Sequence, residues 1–180
     1  VGFSQISMEP ALSKEEFEFA IDKNDLPKIL EEHELLCKKL IEMKKSGSDI
    51  NFFNFNISIN NGPCISKRLK GCGFGNDYIA VTPSGDIYPC HQLIGENRFL
   101  MGNVNKNYFN NELKNQFLNL TVYHKEKCKN CWAKFYCCGG CNSKNYQFNG
   151  NLKSSFDITC ELQKKKIECS IAYNVLSGNV

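Results

Sequence analysis

The 180-residue sequence lacks the features that mark several large classes of protein. Its apolar runs all fall short of the eighteen or so residues that cross a bilayer, so we expect no membrane-spanning segment. The formal net charge of +3 is too small to indicate a nucleic-acid partner. A hydrophobic content of 42% and an aromatic content of 12% exclude a disordered chain. These absences leave a globular protein of one or two small domains.

Cysteine, in contrast, is abundant and uneven: there are 11, and only Cys37 lies before residue 64. A secreted disulfide scaffold is one explanation, but the count is odd and Val1-Gly2-Phe3 opens no signal peptide. Scattered buried thiols are another, but these cysteines are clustered at short, regular spacings. Metal or cluster ligation in a reducing compartment is favoured, and we expect a cytoplasmic protein.

The first sixty residues resemble the end of an α/β unit. The predicted elements are a strand at residues 2–8, a helix capped by Ser13 and Glu16 that carries Phe17 and Ile21, a helix from about Asp25 to a stop at Ser46, and a strand at residues 52–59. A strand, a helix and a second strand make a crossover unit of a mainly parallel sheet. Because one such unit cannot bury its own sheet, we expect the chain to be truncated at its N-terminus.

From residue 62 onward the sequence is rich in glycine, cysteine and loops. Residues 78–89 predict a β-hairpin in which Gly85 supplies a positive φ. A short helix is predicted from Asn111 to Val122, and a final helix from about Ile158 to Leu176. The predicted fold class is therefore α+β.

The strongest motif is Cys128-x2-Cys131-x5-Cys137-x3-Cys141. A C-x2-C pair places two thiolates on one tight turn, and thiolates select zinc, copper(I) or iron–sulfur clusters. Four more cysteines flank the motif and make enough ligands for two four-cysteine sites: Cys64, Cys72, Cys90 and Cys160. Zinc ribbons usually carry two C-x2-C pairs, and the wider gaps here suit a larger inorganic core. Spacing alone favours two iron–sulfur clusters and leaves a zinc-binding interaction module without redox activity as the alternative.

The pattern Cys72-x12-Gly85-x4-Cys90, followed by the tight four and Cys160, resembles the SPASM domain of radical SAM peptide-modifying enzymes. The segments that resemble the six-cysteine peptide (SCIFF) maturases in particular are residues 78–92, 131–137 and 160–169. The segment up to Phe55 resembles the last strands and helix of their partial barrel. The resemblance thus implies a barrel remnant at residues 1–61 and a SPASM domain of hairpin, loops and short helices at residues 62–180.

This resemblance implies part of an enzyme that forms thioether (sactionine) crosslinks in a ribosomally made, cysteine-rich precursor peptide. Two auxiliary 4Fe–4S clusters would serve electron transfer, ligation of a substrate thiolate, or both. The implied partners are the precursor peptide and an electron donor such as ferredoxin or flavodoxin, with no nucleic acid and no membrane. The C-x3-C-x2-C motif that binds the catalytic cluster does not occur in the sequence. This chain alone should therefore not cleave S-adenosylmethionine, which is expected, with a third cluster, only in the full-length enzyme.

The family pattern also implies how the cysteines divide between the two clusters. The implied distal ligands are Cys128, Cys131, Cys137 and Cys160, and the implied proximal ligands are Cys72, Cys90, Cys141 and Cys64. If Cys64 does not ligate, the proximal cluster has an open iron that a substrate thiolate could occupy. His91 is a candidate to hydrogen-bond the cluster and tune its potential. No catalytic residue is assigned, and Cys37, Cys138 and Cys169 are left over as ordinary thiols.

Overall fold

The computed structural model describes residues 2–13, 17–48, 50–57 and 64–178. Its helices are α1 (Leu26–Lys45), α2 (Ile65–Lys70), α3 (Asn111–Leu118), α4 (Glu126–Lys129), α5 (Lys134–Cys137), α6 (Asn142–Asn149) and α7 (Asp157–Leu176). Its strands are β1 (Gln5–Ile6), β2 (Asn51–Phe52), β3 (Ala80–Val81), β4 (Asp86–Tyr88), β5 (Gly102–Asn103) and β6 (Tyr108–Phe109). Among the helices in these ranges, none has both the length and the apolar character needed to cross a membrane. The mixture of helix and sheet confirms the predicted class.

The chain separates into two compact units. The first unit comprises Val1–Pro63 with Asp157–Val180, and the second unit comprises Cys64–Phe156. The final helix, which the sequence analysis placed in the second domain, therefore belongs to the first compact unit. The predicted boundary after residue 61 lies outside the described residues. Compact units need not coincide with the domain of a sequence family, so the assignment of residues 62–180 to one SPASM domain stays a prediction.

The first unit contains the predicted crossover. β1 pairs in parallel with β2, in the register Gln5 to Asn51, and α1 connects them. The second strand ends sooner than predicted because residues Phe53–Phe55 form a turn of 3-10 helix. This turn places Phe52 and Phe55 on the same side of the backbone, with their rings edge to face at 4.9 Å. Residues 58 and 59 of the predicted strand lie outside the described residues.

The helix predicted over Phe17 and Ile21 is wrong, since residues 17–25 form short turns joined by irregular backbone. The Asp22 carboxylate accepts the backbone N–H groups of Asn24 and Asp25, which stabilises a turn in place of a helix. Glu16, which was predicted to cap this helix together with Ser13, lies outside the described residues. The next helix, α1, begins one residue after Asp25 as predicted and packs against α7. Their shared core consists of Cys37, Leu40, Ile41, Phe52, Phe55, Cys169 and Tyr173.

The second unit is built on an antiparallel sheet of order β3-β4-β5-β6. The predicted hairpin is confirmed, and Gly85 has φ +88° in its turn. Helix α3 is shorter than predicted, because Val122–His124 form a separate turn of 3-10 helix that the Thr121 hydroxyl caps. The buried core consists of Phe74, Ile87, Tyr88, Cys90, Leu93, Phe99, Met101, Phe117 and Leu120.

Candidate metal centre

The loop that carries Cys72 is tied directly to the segment that carries Cys90. The N–H of Gly75 donates to the carbonyl of Pro89, the residue before Cys90, at 3.1 Å. Gly75 has φ +69°, and a Cβ at this position would lie 2.3 Å from Cδ2 of Phe117. Only glycine fits this close approach, because it has no side chain and adopts positive φ without strain.

Cys141 reaches the same region through α6, whose N-cap it forms. The ring of Tyr146 in this helix packs edge to face on Phe99 at 4.7 Å, which joins α6 to the core of the second unit. Burial raises the pKa of the Cys72 thiol, although the residue as a whole is exposed, and the Phe74 N–H opposes the shift. The charges of Cys141 and Cys90 lie close enough to raise this pKa further. The structure thus brings together three of the predicted proximal ligands, which we call the Cys72 group: Cys72, Cys90 and Cys141.

A second set of thiols follows a chain of backbone turns from α4 into α5. The carbonyl of Cys128 accepts the N–H of Cys131 at 3.1 Å, and that of Cys131 accepts the N–H of Lys134 at 3.3 Å. Burial raises the pKa of Cys137, the Gly140 N–H opposes the shift, and the charges of Cys128, of the adjacent Cys138 and of Cys131 raise it further. The structure therefore brings together three of the predicted distal ligands, which we call the Cys137 group: Cys128, Cys131 and Cys137.

The predicted fourth ligands differ from these six in their placement. Cys64 is exposed at the N-cap of α2, and no interaction in the described part of the chain joins it to the Cys72 group. Cys160 is partly buried in α7, in the first unit. Both assignments stay predictions from the sequence.

Cysteine thiolates are the usual protein ligands of iron–sulfur clusters. Among residues 2–13, 17–48, 50–57 and 64–178, no three His, Cys, Asp or Glu side chains converge on a position for a single metal ion. In a 4Fe–4S cluster each cysteine binds a different iron, so the ligand sulfurs need not converge on one point. Two groups of three neighbouring thiols fit such clusters in ligand chemistry.

His91 lies beside Cys90 of the Cys72 group, and its role toward a cluster stays a prediction. Its Nδ1 atom is 2.9 Å from the Tyr78 hydroxyl and 3.9 Å from the Cys90 sulfur. The Tyr78 ring packs edge to face on the imidazole. The hydroxyl contact and the ring packing, both from Tyr78, hold the imidazole with Nδ1 near the Cys90 thiol.

The three cysteines predicted to be ordinary thiols differ in placement, since Cys37 and Cys169 are buried and Cys138 is partly exposed beside Cys137. Cys37 and Cys169 are both 4% exposed in the core of the first unit, and the Cys37 thiol donates to the Cys169 carbonyl. Burial raises the pKa of Cys169 to about 12. Cys138 adopts the left-handed conformation with φ 58°, and its thiol points back toward the carbonyl of Tyr136 at 3.5 Å.

Sequence reasoning missed Lys125, which is 1% exposed in the second unit. Its ammonium donates to the Gly139 carbonyl and to Oδ1 of Asn142, each at 2.6 Å. Nothing in the local sequence separates this lysine from its exposed neighbours Lys127 and Lys129.

Comparison with known proteins supports the cluster interpretation. Residues 72–132 match the family model of the SPASM iron–sulfur cluster-binding domain. Two of the predicted ligands in each thiol group lie within the match: Cys72, Cys90, Cys128 and Cys131. The matched segment carries a SPASM-type cluster-binding sequence. No curated protein matches the chain significantly.

The fold is similar to two solved structures. The first, "Native anSMEcpe with bound AdoMet and Kp18Cys peptide", has 19% identity and a TM-score of 0.61 over 96% of this chain. The second, "Native anSMEcpe with bound AdoMet and Cp18Cys peptide", has 17% identity and a TM-score of 0.56 over 96% of this chain. This chain spans about half of each, 48% and 49% respectively. At these identities the likeness is one of fold.

Proposed function

We propose that this chain is the auxiliary-cluster portion of a radical SAM peptide maturase, closest to the SCIFF maturases. Its reaction would form thioether crosslinks in a ribosomally made, cysteine-rich precursor peptide. One observation carries the proposal: the SPASM match over residues 72–132 contains two cysteines of each thiol group. Both similar structures are complexes with AdoMet and a peptide, which supports a peptide as the substrate.

The two groups would hold separate clusters. The Cys72 group, with Cys64, would bind the proximal 4Fe–4S cluster, and the Cys137 group, with Cys160, would bind the distal one. When bound, such clusters supply one-electron transfer and iron sites able to ligate a substrate thiolate. The chain's own contribution is to place the thiols and to limit their exposure to water: Cys90 and Cys128 are each only 7% exposed.

His91 would tune the proximal site. In the tautomer with a proton on Nδ1, the imidazole lies where it can donate to the Cys90 sulfur, while the Tyr78 hydroxyl competes for the same atom. A hydrogen bond to a ligating sulfur stabilises its negative charge and raises the reduction potential of the cluster. Tyr78 would therefore set how much of that hydrogen bond reaches Cys90.

The remaining functions are proposed for the whole enzyme. Residues 1–61 would close the end of a partial barrel, and S-adenosylmethionine would be cleaved at a third cluster held by residues outside this sequence. An electron donor such as ferredoxin or flavodoxin would reduce the enzyme in the cytoplasm. These proposals follow from the resemblance and from the likeness in fold to the AdoMet-bound structures.

Anaerobic reconstitution with iron and sulfide tests the proposed function. We expect about eight iron and about eight acid-labile sulfide per chain, from two clusters of four irons each. One or two zinc ions with no acid-labile sulfide would instead identify the chain as a zinc-binding interaction module.

Adjacent cysteines provide a matched test of the ligand assignment. Cys137→Ala should lose about half of the iron, because it removes one ligand of the distal cluster only. Cys138→Ala should keep all of it, and it adds no new backbone strain since alanine and cysteine tolerate positive φ equally poorly. Full iron in the Cys137 variant, or equal loss in both variants, would contradict the assignment.

A further inference from the structure

Lys125 lies at the junction of the two thiol groups. Its backbone carbonyl accepts the N–H of Cys128 at 2.9 Å, which fixes the start of the Cys137 group. Its side chain extends to the segment between Cys137 and Cys141, where each end carries a ligand of a different group. One residue therefore contacts the backbone on both sides of the Cys137 group.

The segment under Lys125 needs such a contact. Cys138, Gly139 and Gly140 all have positive φ, of 58°, 80° and 70°. Three successive left-handed residues form no regular element of their own, so other groups must satisfy their carbonyls. The Lys125 ammonium satisfies the Gly139 carbonyl, and its second bond, to Asn142, fixes the residue that follows Cys141.

The position of the charge matters as much as the hydrogen bonds. The ammonium is almost fully buried, so water screens its field weakly. The ammonium is connected to the Cys141 Cα atom by a 2.6 Å hydrogen bond, the Asn142 side chain and one Cα–Cα step of 3.8 Å. It therefore lies within about 10 Å of that Cα atom. A cluster held by four thiolates is anionic, and reduction makes it more so.

We propose that Lys125 is a positioning residue for both cluster sites and supplies a buried positive charge that favours their reduced state. The inference rests on the proposed function, because it requires clusters on the two thiol groups. Its hydrogen bonds would hold Cys137 and Cys141 in place. Its charge would offset the electron that each cluster gains.

The test measures reduction potential and iron content in the reconstituted full chain. In Lys125→Met and Lys125→Gln, which remove the charge, we expect cluster midpoints more negative than in the wild type, or loss of iron. Lys125→Arg keeps the charge and should retain iron and a midpoint nearer to that of the wild type. The matched control is Lys129→Met at the last residue of α4, the short helix that Lys125 precedes, because the Lys129 side chain is 47% exposed and its loss should leave the midpoint unchanged.

Each outcome decides the inference. Full iron and a wild-type midpoint in the Met variant would overturn it, as would equal rescue by Gln and Arg. Loss of iron from all three variants alike would also overturn it, because the position would then require a shape and not a charge. If the wild-type chain itself takes up no iron and sulfide, the proposed function fails. If the wild type does so and the Lys125 variants behave identically to it, only the inference fails.

Discussion

Gly75→Ala tests whether the link between Cys72 and Cys90 depends on a close backbone approach. The new Cβ would lie 2.3 Å from Cδ2 of Phe117 and 3.0 Å from Cβ of Pro89, both in well-packed surroundings. Left-handed backbone costs a non-glycine residue about 1–2 kcal/mol, and overpacking adds about 1–3 kcal/mol. We therefore expect the free energy of unfolding of the second unit to fall by about 2–5 kcal/mol.

Gly150→Ala is the matched control. Gly150 has φ +66°, close to the +69° of Gly75, but no atom lies within 4 Å of where its Cβ would be. The control should therefore show only the backbone cost, about 1–2 kcal/mol. The difference between the two variants isolates the clash with Phe117 and should be about 1–3 kcal/mol.

Urea unfolding of the iron-free chain under reducing conditions measures this difference. Trp132 is the one tryptophan in the sequence and lies in the second unit, so its fluorescence reports on that unit. The Gly75 variant should unfold at a urea concentration about 1 M below that of the control. Equal midpoints would refute the reasoning. In a double-mutant cycle, Phe117→Leu should partly rescue Gly75→Ala, because it removes the atoms that clash.

Two further predictions concern the first unit. Asn54→Asp should lower the free energy of unfolding of the first unit by about 3 kcal/mol, measured by chemical unfolding followed by circular dichroism. The buried Asn54 amide donates a hydrogen bond to the Glu9 carboxylate at 2.7 Å, and the variant would place a second carboxylate against that of Glu9. The control is Asn51→Asp, because the side-chain amide of Asn51 donates to Gln5 in an exposed hydrogen bond. This variant should lose much less stability, and equal losses in the two variants would contradict this account. Glu34→Gln should lower the thermal midpoint of unfolding at pH 7. The Lys165 ammonium lies 2.6 Å from the Glu34 carboxylate, and the pair lowers the pKa of Glu34 from 4.5 and raises the pKa of Lys165 from 10.5. The pair thus contributes its full stabilisation between pH 4.5 and pH 10.5. The difference from wild type should shrink as the pH falls below 4.5 and through the lowered pKa of Glu34, and a difference that does not change with pH across this range would exclude the ion pair as its cause.

The sequence predicted the elements whose periodicity and turn chemistry are local. Helix α1 and helix α7 carry long apolar patterns, and the β3–β4 hairpin carries a glycine where its turn needs positive φ. The prediction failed at residues 17–25, where Asp22 offers the backbone a hydrogen-bonding alternative to a helix. It also overextended the second strand, because Phe52 and Phe55 can share one side only if the chain turns between them.

The candidate site was predictable in its ligand types but not in its supports. The resemblance to the SPASM family, and not spacing alone, implied which thiols belong together, and that division stays a prediction. In the structure Cys72 has Cys141 and Cys90 as neighbours, whereas Cys137 has Cys138 as well as Cys128 and Cys131. The contacts that create this arrangement join residues far apart in sequence, such as Gly75 with Pro89 and Lys125 with Gly139. No local pattern marks such pairs, because their partners are defined only once the chain has folded.

The elements that carry the thiols have little stability of their own. Helices α4 and α5 contain four residues each, whereas isolated helices in water need about 12–15 residues to be even marginally stable. Their geometry in the iron-free chain must therefore come from tertiary contacts, of which the Lys125 ammonium supplies two. A group that binds the folded thiols and not the unfolded ones adds its binding free energy to the stability of the fold. Cluster binding on the two thiol groups should consequently stabilise the second unit, and it should do so most strongly from α4 to α6, where the backbone has the least regular structure to support it.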